Sequence, residues 1–451
     1  MTMATSRQSQ AAERTLIVGL GKSGLSCVRF LVARGEKVAV TDTRINPPAL
    51  ATLREEFPDV PVFVGGFEAG VFHAATRLVV SPGVSLKVPE IAEAIASGIP
   101  VLGDIELFAR QADAPVVAVT GANGKSTVTT LVGEMARRCF KDVRVGGNLG
   151  TPALELLGGE APDLYVLELS SFQLETLVSL NARVATVLNI TPDHMDRYAS
   201  VAEYAAAKQR IFAGDGVMVL NADDPLVTAM AEPGRRVIYF GQGEPANGHY
   251  GLRRHEGEEW LAQGKQLLLP ASKLRLFGRH NIANVLAALA MGEALGLAMT
   301  QMLAAAREFS GLPHRCQWVA EQDGVTWYND SKGTNVGAAM AAIQGLPGKV
   351  IWIGGGEGKG ADFTPLRDVM KGKVSAAILI GRDAPLIEAA LRGVVPIHHA
   401  PDMAAAVAKA GELAQVGDNV LLSPACASFD MFTDYQDRGN VFVREVRRLP
   451  A

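Results

Sequence analysis

Three successive α/β modules, each on a mainly parallel sheet, are what this 451-residue sequence predicts. Short β-rich apolar runs alternate with helical stretches from Thr15 onward, the layering of parallel sheets with helical crossovers. Most runs empty into a glycine-rich or polar loop, which is where such sheets place ligands. The chain is also too long for one hydrophobic core, and its 48% apolar content is enough for two or three.

Composition narrows the function. Lys plus Arg number 43 against 47 Asp plus Glu, a net charge of −4, so nothing in the balance recruits nucleic acid or an anionic membrane. Cys27, Cys139, Cys316 and Cys426 lack C-x-x-C spacing and read as core thiols in a reducing compartment, not as a disulfide frame or zinc site. Residues 1–13 are polar without an apolar leader, and the longest apolar helical pattern, 284–302, is interrupted by Glu293. The expectation is a cytoplasmic protein with no membrane span.

The first module has apolar runs at 15–18, 37–40 and 77–80. The first run ends in Gly19-Leu20-Gly21-Lys22-Ser23-Gly24, a G-x-G-x-x-G loop, and Asp42 closes the second at nearly the distance of a ribose-binding acid. Taken alone, this reads as dinucleotide binding. It keeps an NAD-dependent oxidoreductase with an appended ATPase open as one reading, beside a nucleotide-dependent scaffold without catalysis.

In the second module, Val116-Val117-Ala118-Val119-Thr120 enters the turn Gly121-Ala122-Asn123-Gly124-Lys125-Ser126-Thr127 and then a helical pattern. Backbone N–H groups of such a turn face phosphate oxygens, Lys125 neutralises the outer phosphates, and a Ser126 or Thr127 hydroxyl suits Mg²⁺. Val119 stands where G-x-x-x-x-G-K-[ST] has its first glycine. Further runs lie at 164–167, 184–188 and 216–220. Glu168 follows the first of these, where a phosphate-loop protein needs a second group near Mg²⁺. The loop after Leu188 packs Asp193, His194 and Asp196 into one turn, a possible metal ligand set or a solvated one. Lys208 lies in an alanine-rich helix, and on spacing alone it is a helix lysine. Gly278-Arg279-His280-Asn281-Ile282-Ala283-Asn284 offers amides suited to a purine edge, or a helix cap at Asn281. Residues 241–264 read as an exposed β-excursion or loop without assigned chemistry.

The pattern restarts near Gly311-Leu312-Pro313, with runs at 349–353, 376–380 and 419–422. Its loops carry Pro313-His314-Arg315, Tyr328-Asn329-Asp330-Ser331-Lys332-Gly333-Thr334-Asn335, the glycine-rich 354–363 segment and Ser423-Pro424-Ala425-Cys426-Ala427-Ser428-Phe429-Asp430. Cations from one module facing a phosphate cradle on another would neutralise charge on closure, as an arginine finger does, and capture an anionic co-substrate.

These motifs together resemble the Mur ligases, essentially end to end. The resemblance rests on the Gly121 to Thr127 turn, Glu168-Leu169-Ser170-Ser171-Phe172-Gln173-Leu174, Pro192-Asp193-His194-Met195-Asp196-Arg197, Gly278-Arg279-His280-Asn281, Asn329-Asp330-Ser331-Lys332 and Ser423-Pro424-Ala425-Cys426-Ala427-Ser428. It implies a Rossmann-like N-terminal domain for a UDP-linked substrate (1–106), a central P-loop ATPase-like domain on a parallel or mixed sheet (107–311), and a Rossmann-like C-terminal amino-acid-binding domain (312–451).

By the same resemblance, Gly19, Leu20, Gly21, Lys22, Ser23, Asp42, Thr43, Arg44, Ser81, Pro82, Gly83, Asn148 and His194 bind the UDP-linked substrate, displacing the NAD reading. Gly121, Asn123, Gly124, Lys125, Ser126, Thr127, Asn281, Asn284, Arg315 and Asp330 bind ATP. Ser126, Glu168, His194 and a carbamylated Lys208 hold Mg²⁺, and Lys332 joins Lys125 among the catalytic groups. Thr334, Lys359, Ser428, Phe429 and Tyr435 form the amino-acid pocket. The implied substrates are UDP-N-acetylmuramoyl-L-alanine and D-glutamate, the cofactors ATP and Mg²⁺, the enzyme a monomer with no nucleic-acid or membrane partner. ATP would activate the substrate carboxylate as an acyl phosphate, which the amine then attacks.

Overall fold

The computed structural model describes residues 14–191, 194, 197–276, 278–358 and 360–449. Its first sheet is built from β1 (Arg14–Val18), β2 (Lys37–Asp42), β3 (Val62–Val64), β4 (Arg77–Val80) and β5 (Val101–Leu102), in the order β3-β2-β1-β4-β5. Every pairing in it is parallel. The chain leaves β1 for β2 on one side and later returns to β4 on the other. Strand order therefore reverses beside β1, and the loops after β1 and β4 diverge to leave a crevice.

The second sheet has nine strands: β6 (Val116–Thr120), β7 (Val143–Gly147), β8 (Leu164–Glu168), β9 (Val184–Val187), β10 (Val217–Asn221), β11 (Val237–Phe240), β12 (Tyr250–His255), β13 (Glu258–Gln263) and β14 (Gln266–Pro270). Their order is β14-β13-β12-β11-β10-β9-β6-β8-β7. Every residue of β6 and β8 is buried, which explains why both read as continuous apolar runs without alternation. β6 again lies at a reversal, between β8 and β9. The 241–264 stretch folds largely into β12 and β13, strands of this sheet. The long apolar pattern at 284–302 divides into helices Arg279–Ala294 and Met299–Glu308. Gly296 lies between them with φ +79°, a left-handed conformation that ends the first helix.

The third sheet comprises β15 (Gln317–Gln322), β16 (Val325–Asn329), β17 (Val350–Gly355), β18 (Val374–Ile380), β19 (Ile397–His399) and β20 (Asn419–Leu422), ordered β15-β16-β20-β17-β18-β19. Only the β15–β16 pair among them is antiparallel. Apolar cores cover both faces: Trp352, Leu379 and Leu421 belong to one, Ile353, Ile378 and Leu422 to the other. The predicted class, α/β on parallel and mixed sheets, is the one observed.

By compactness the chain forms two units. One holds the described residues up to Leu252 with Ala262–Gln266 and Leu286–Met302; the other holds Arg253–Leu261, Leu267–Val285 and the described residues from Leu303 on. Among the described residues no helix is long and apolar enough to cross a membrane. All four cysteines are free; Cys27 and Cys426 are core thiols as expected, but Cys139 is exposed just beyond the helix Lys125–Arg137.

Candidate active site

The turn between β6 and the helix Lys125–Arg137 is locked to the end of β9. Ala122 donates its N–H to the Asn189 carbonyl at 2.9 Å, Asn123 donates its N–H to Asn189 Oδ1 at 2.8 Å, and Asn189 Nδ2 returns a bond to the Asn123 carbonyl at 3.1 Å. Gly124 precedes the helix at φ +84°, which a side chain would strain. No side chain caps this helix, so its first N–H groups remain oriented for an anion. Lys125 Nζ lies across the turn, donating to the Gly121 and Ala122 carbonyls, both at 2.9 Å. Ser126 and Thr127 follow, half-buried, in the first helical turn.

Glu168 ends β8 beside this turn, since β8 pairs with β6 and Glu168 is in register with Val119. The carboxylate is 3% exposed; Oε1 accepts from Asn148 Nδ2 at 2.7 Å, while Oε2 is buried with no hydrogen-bond partner among the described residues. A buried carboxylate oxygen without a donor is costly unless something else fills that role. Lys208, 1% exposed, approaches from the helix Val201–Gln209 and donates to the Gly121 carbonyl at 2.9 Å and to Thr120 Oγ1 at 3.3 Å. Its amine lies 4.6 Å from the Tyr204 ring, and Tyr204 also meets the exposed His194 ring edge-on at 6.5 Å. Phe172 also packs against His194, at 4.7 Å between ring centres. Gly121, Lys125, Glu168 and Lys208 therefore converge on the end of β6, with His194 reached from Lys208 through the Tyr204 ring. Pro192, Asp193, Met195 and Asp196 lie outside the described residues.

An oxygen-rich site for Mg²⁺ fits part of this donor set: the orphaned Glu168 Oε2 and the hydroxyl of Ser126 or Thr127 are hard ligands. Lys208 does not fit as an amine, because an ammonium is a donor only. A carbamate on Nζ would make it an acceptor.

A cavity of about 730 Å³ opens over the carboxyl ends of β1, β2 and β4. Gly19, Gly21, Lys22, Ser23, Asp42, Thr43, Arg44, Ser81, Pro82, Gly83 and Asn148 all line it, as do Gly147 and Gln173, which sequence reasoning did not assign. Leu20 departs from expectation: its side chain is 0% exposed and packs in the core, where β-loop geometry turns it inward. Its contribution is a backbone N–H, donated to Asp42 Oδ2 at 2.7 Å. His194 is likewise not among the cavity's lining residues.

Asp42 is no free ribose acceptor. Oδ1 accepts from the Arg44 N–H and Nε, both at 2.9 Å, and Oδ2 accepts from Arg44 Nη2 at 2.7 Å besides Leu20. Burial works to raise this carboxyl, but the hydrogen bonds from Arg44 and Leu20 outweigh it and hold the group below its ordinary range. With both oxygens engaged, the role left to Asp42 is to hold Arg44 at the cavity wall. The dinucleotide pattern therefore lacks its ribose-binding acid.

The second unit gathers the remaining candidates. Asn284 Nδ2 donates to Asn281 Oδ1 at 3.2 Å near the start of the helix Arg279–Ala294, and both amides are buried. Asp330 follows β16, accepting from Ser423 Oγ at 2.7 Å and the Cys316 N–H at 3.1 Å. Burial pushes its carboxyl up to about 6, against hydrogen bonds from Ser423 and Cys316 and the charge of exposed Arg315, which lower it. Lys332 Nζ lies 5.2 Å from the Tyr435 ring, and Ser331 Oγ donates to the Tyr435 carbonyl at 2.8 Å. Ser428 is buried, whereas Thr334 and Phe429 are exposed. Lys359 lies outside the described residues.

Arg438, which no motif flagged, fastens these loops. Fully buried, it donates to Ser331 Oγ at 3.0 Å, the Ser331 carbonyl at 2.8 Å, the Cys426 carbonyl at 3.1 Å and the Ala427 carbonyl at 3.2 Å. Burial draws its guanidinium down to about 10, still cationic at neutral pH. The only sequence signal was an arginine inside the helix Tyr435–Val446, which is indistinguishable from a surface residue until the loops are in place.

Known proteins match along the whole chain. Residues 13–103 match the Mur ligase MurD-like N-terminal domain, 119–292 the Mur ligase middle domain, and 314–426 the Mur ligase glutamate ligase domain. UDP-N-acetylmuramoylalanine–D-glutamate ligase of Nitrosococcus oceani is 55% identical over 444 residues, 98% of both chains. The protein of the same name from Methylococcus capsulatus is 56% identical over 97% of this chain and 95% of its own. Among solved structures, UDP-N-acetylmuramate-alanine ligase of Thermotoga maritima shares the fold at a TM-score of 0.57 and 19% identity, covering 96% of this chain and 99% of that one.

Proposed function

The chain belongs to the Mur ligase family, and from that premise we propose that it joins D-glutamate to UDP-N-acetylmuramoyl-L-alanine, driven by ATP, in the synthesis of peptidoglycan precursor. One observation carries the reading furthest: Asn148 lines the cavity over β1, β2 and β4 and also donates to Glu168 beside the phosphate turn. A substrate seated in that cavity would bring its acyl end toward the nucleotide's phosphates.

A carboxylate is a poor acyl donor at neutral pH. In the proposed reaction the alanyl carboxylate attacks the γ-phosphorus of ATP, releasing ADP and forming an acyl phosphate. The D-glutamate amine then adds to the acyl carbon, and the tetrahedral intermediate expels inorganic phosphate as the amide forms. The turn's backbone N–H groups and Lys125 bind the phosphates and spread the charge of transfer. Asn148 orients the Glu168 carboxylate. Glu168, Ser126 and, once carbamylated, Lys208 would hold Mg²⁺, with His194 near them; when bound, the ion supplies Lewis-acid neutralisation of the phosphoryl oxygens.

Asn281, Asn284, Arg315 and Asp330 are assigned to the nucleotide in the same proposal. Lys332 is assigned to the reacting groups, and Thr334, Lys359, Ser428, Phe429 and Tyr435 to D-glutamate. The domain limits 1–106, 107–311 and 312–451 belong to the same proposal, which is supported by one sheet falling within each range. A cytoplasmic monomer is part of the reading.

The test is product formation. Purified protein with ATP, Mg²⁺ and UDP-N-acetylmuramoyl-L-alanine is expected to release phosphate and add one glutamyl residue by mass with D-glutamate. Phosphate release with L-alanine, L-lysine or diaminopimelate but none with D-glutamate overturns the assignment.

A further inference from the structure

The helix Asp104–Ala109 carries two buried carboxylates that the mechanism above does not use, Asp104 at 2% exposed and Glu106 at 1%. Glu106 is tied up away from the cavity: Oε2 accepts the N–H groups of Val178 and Ser179 at 2.8 and 2.9 Å, and Oε1 accepts from Arg110 Nε at 2.8 Å and Ser179 Oγ at 3.0 Å. Asp104 instead meets a side chain that lines the cavity over β1, β2 and β4. Oδ2 accepts from Gln173 Nε2 at 2.9 Å, and Oδ1 accepts the Ile105 N–H at 3.0 Å. Gln173 belongs to the short helix after β8 and lines the cavity.

The Gln173 amide is fully determined by its neighbours. Its Oε1 accepts the Ser170 N–H at 3.1 Å, closing a capping box, so its nitrogen must be the atom facing Asp104. One Nε2 hydrogen goes to Asp104. Among the described residues no acceptor is bonded to the second, which belongs to a side chain on the cavity wall.

We propose that Asp104 is a positioning residue for the UDP-linked substrate: it fixes the Gln173 amide so that one N–H donor faces the cavity and meets an acceptor oxygen of that substrate. This rests on the cavity holding that substrate. A carboxylate suits the task because its ionised form only accepts, so it forces the Gln173 amide to donate toward it.

Asp104→Asn tests this by calorimetry and steady-state kinetics. The Kd and KM for UDP-N-acetylmuramoyl-L-alanine are expected to rise about tenfold, with kcat and the KM values for ATP and D-glutamate within about twofold of wild type. Glu106→Gln is the control, with no change in that Kd. Gln173→Met, which leaves Asp104 intact, is expected to weaken binding similarly, and the double variant to lose less than the product of the two single losses. An unchanged Kd in Gln173→Met, an unchanged Kd in folded Asp104→Asn, or losses that multiply overturn the proposal. Gln173→Met decides alone where Asp104→Asn does not fold. Wild-type protein that binds no UDP-linked substrate overturns the functional reading and this proposal with it.

Discussion

Glu168 keeps one oxygen buried and unpartnered beside the phosphate turn, an arrangement that sacrifices stability at that atom. Glu168→Gln removes the charge while leaving an oxygen for Asn148. Its activity is expected to fall by about 10²–10³-fold, with a raised Mg²⁺ requirement and a melting temperature no lower than wild type. Phosphate-release assays across a Mg²⁺ series, paired with thermal melts, check both halves. Asp330 makes a pH prediction whose sign follows from burial. Its carboxyl is raised from 3.8 to about 6, so the folded state holds the proton more tightly than the unfolded chain. Asp330 therefore favours folding fully below about pH 4, and that contribution, roughly 3 kcal/mol, is lost as pH rises through about 6. The ionised form, which the proposed ATP role would use, is the less stable one. The kcat/KM for ATP in the wild type is expected to fall below about pH 6; a pH profile of Asp330→Asn is expected to be low and without that limb.

At the scale of elements, strand ends decide what the site is. Gly147 closes β7 at φ +98°, and a Cβ there would lie 2.4 Å from the Glu168 carbonyl oxygen. Gly147→Ala has to push β7 from the strand that carries Glu168, and about 2–4 kcal/mol of stability loss is expected, read from denaturant unfolding, with activity lost alongside. The strands themselves were legible: runs predicted at 37–40, 77–80, 164–167 and 419–422 became β2, β4, β8 and β20. Burial on both faces makes such strands continuous apolar runs, and ligand loops follow them. The short strands β3 and β5 were not legible, because three and two residues carry no period. Asp104, Glu106 and Arg438 were hidden for a related reason. A buried charge is recognised by its partners, and these partners lie far off in sequence: Gln173 is 69 positions from Asp104, and Ser331 is 107 from Arg438. Asp42 misled in the opposite direction. Its spacing matched a ribose-binding acid, while the arginine two positions on that occupies it was invisible to the motif.

For the molecule as a whole, the distinction between a UDP cavity and a dinucleotide site is a matter of linkage. A ligand that binds only the folded chain stabilises it by RT ln(1 + [L]/Kd), about 2.7 kcal/mol at a hundredfold excess over Kd. Units of 150–250 residues shift by about 2–4 °C per kcal/mol, so UDP-N-acetylmuramoyl-L-alanine at that excess is expected to raise a melting transition by several degrees. The cavity is lined by loops from the first sheet together with Asn148 and Gln173 from the second, so the transition that moves should be the one containing both sheets. NAD is expected to leave it unmoved, because both Asp42 oxygens are already taken and no acceptor remains there for ribose hydroxyls. Arg44→Ala frees that carboxylate and removes a cation from the wall, so it is expected to reduce the shift with the UDP-linked substrate. Scanning calorimetry with each ligand in turn separates the cases: a shift with NAD and none with the UDP-linked substrate would restore the oxidoreductase reading that the loop after β1 invites.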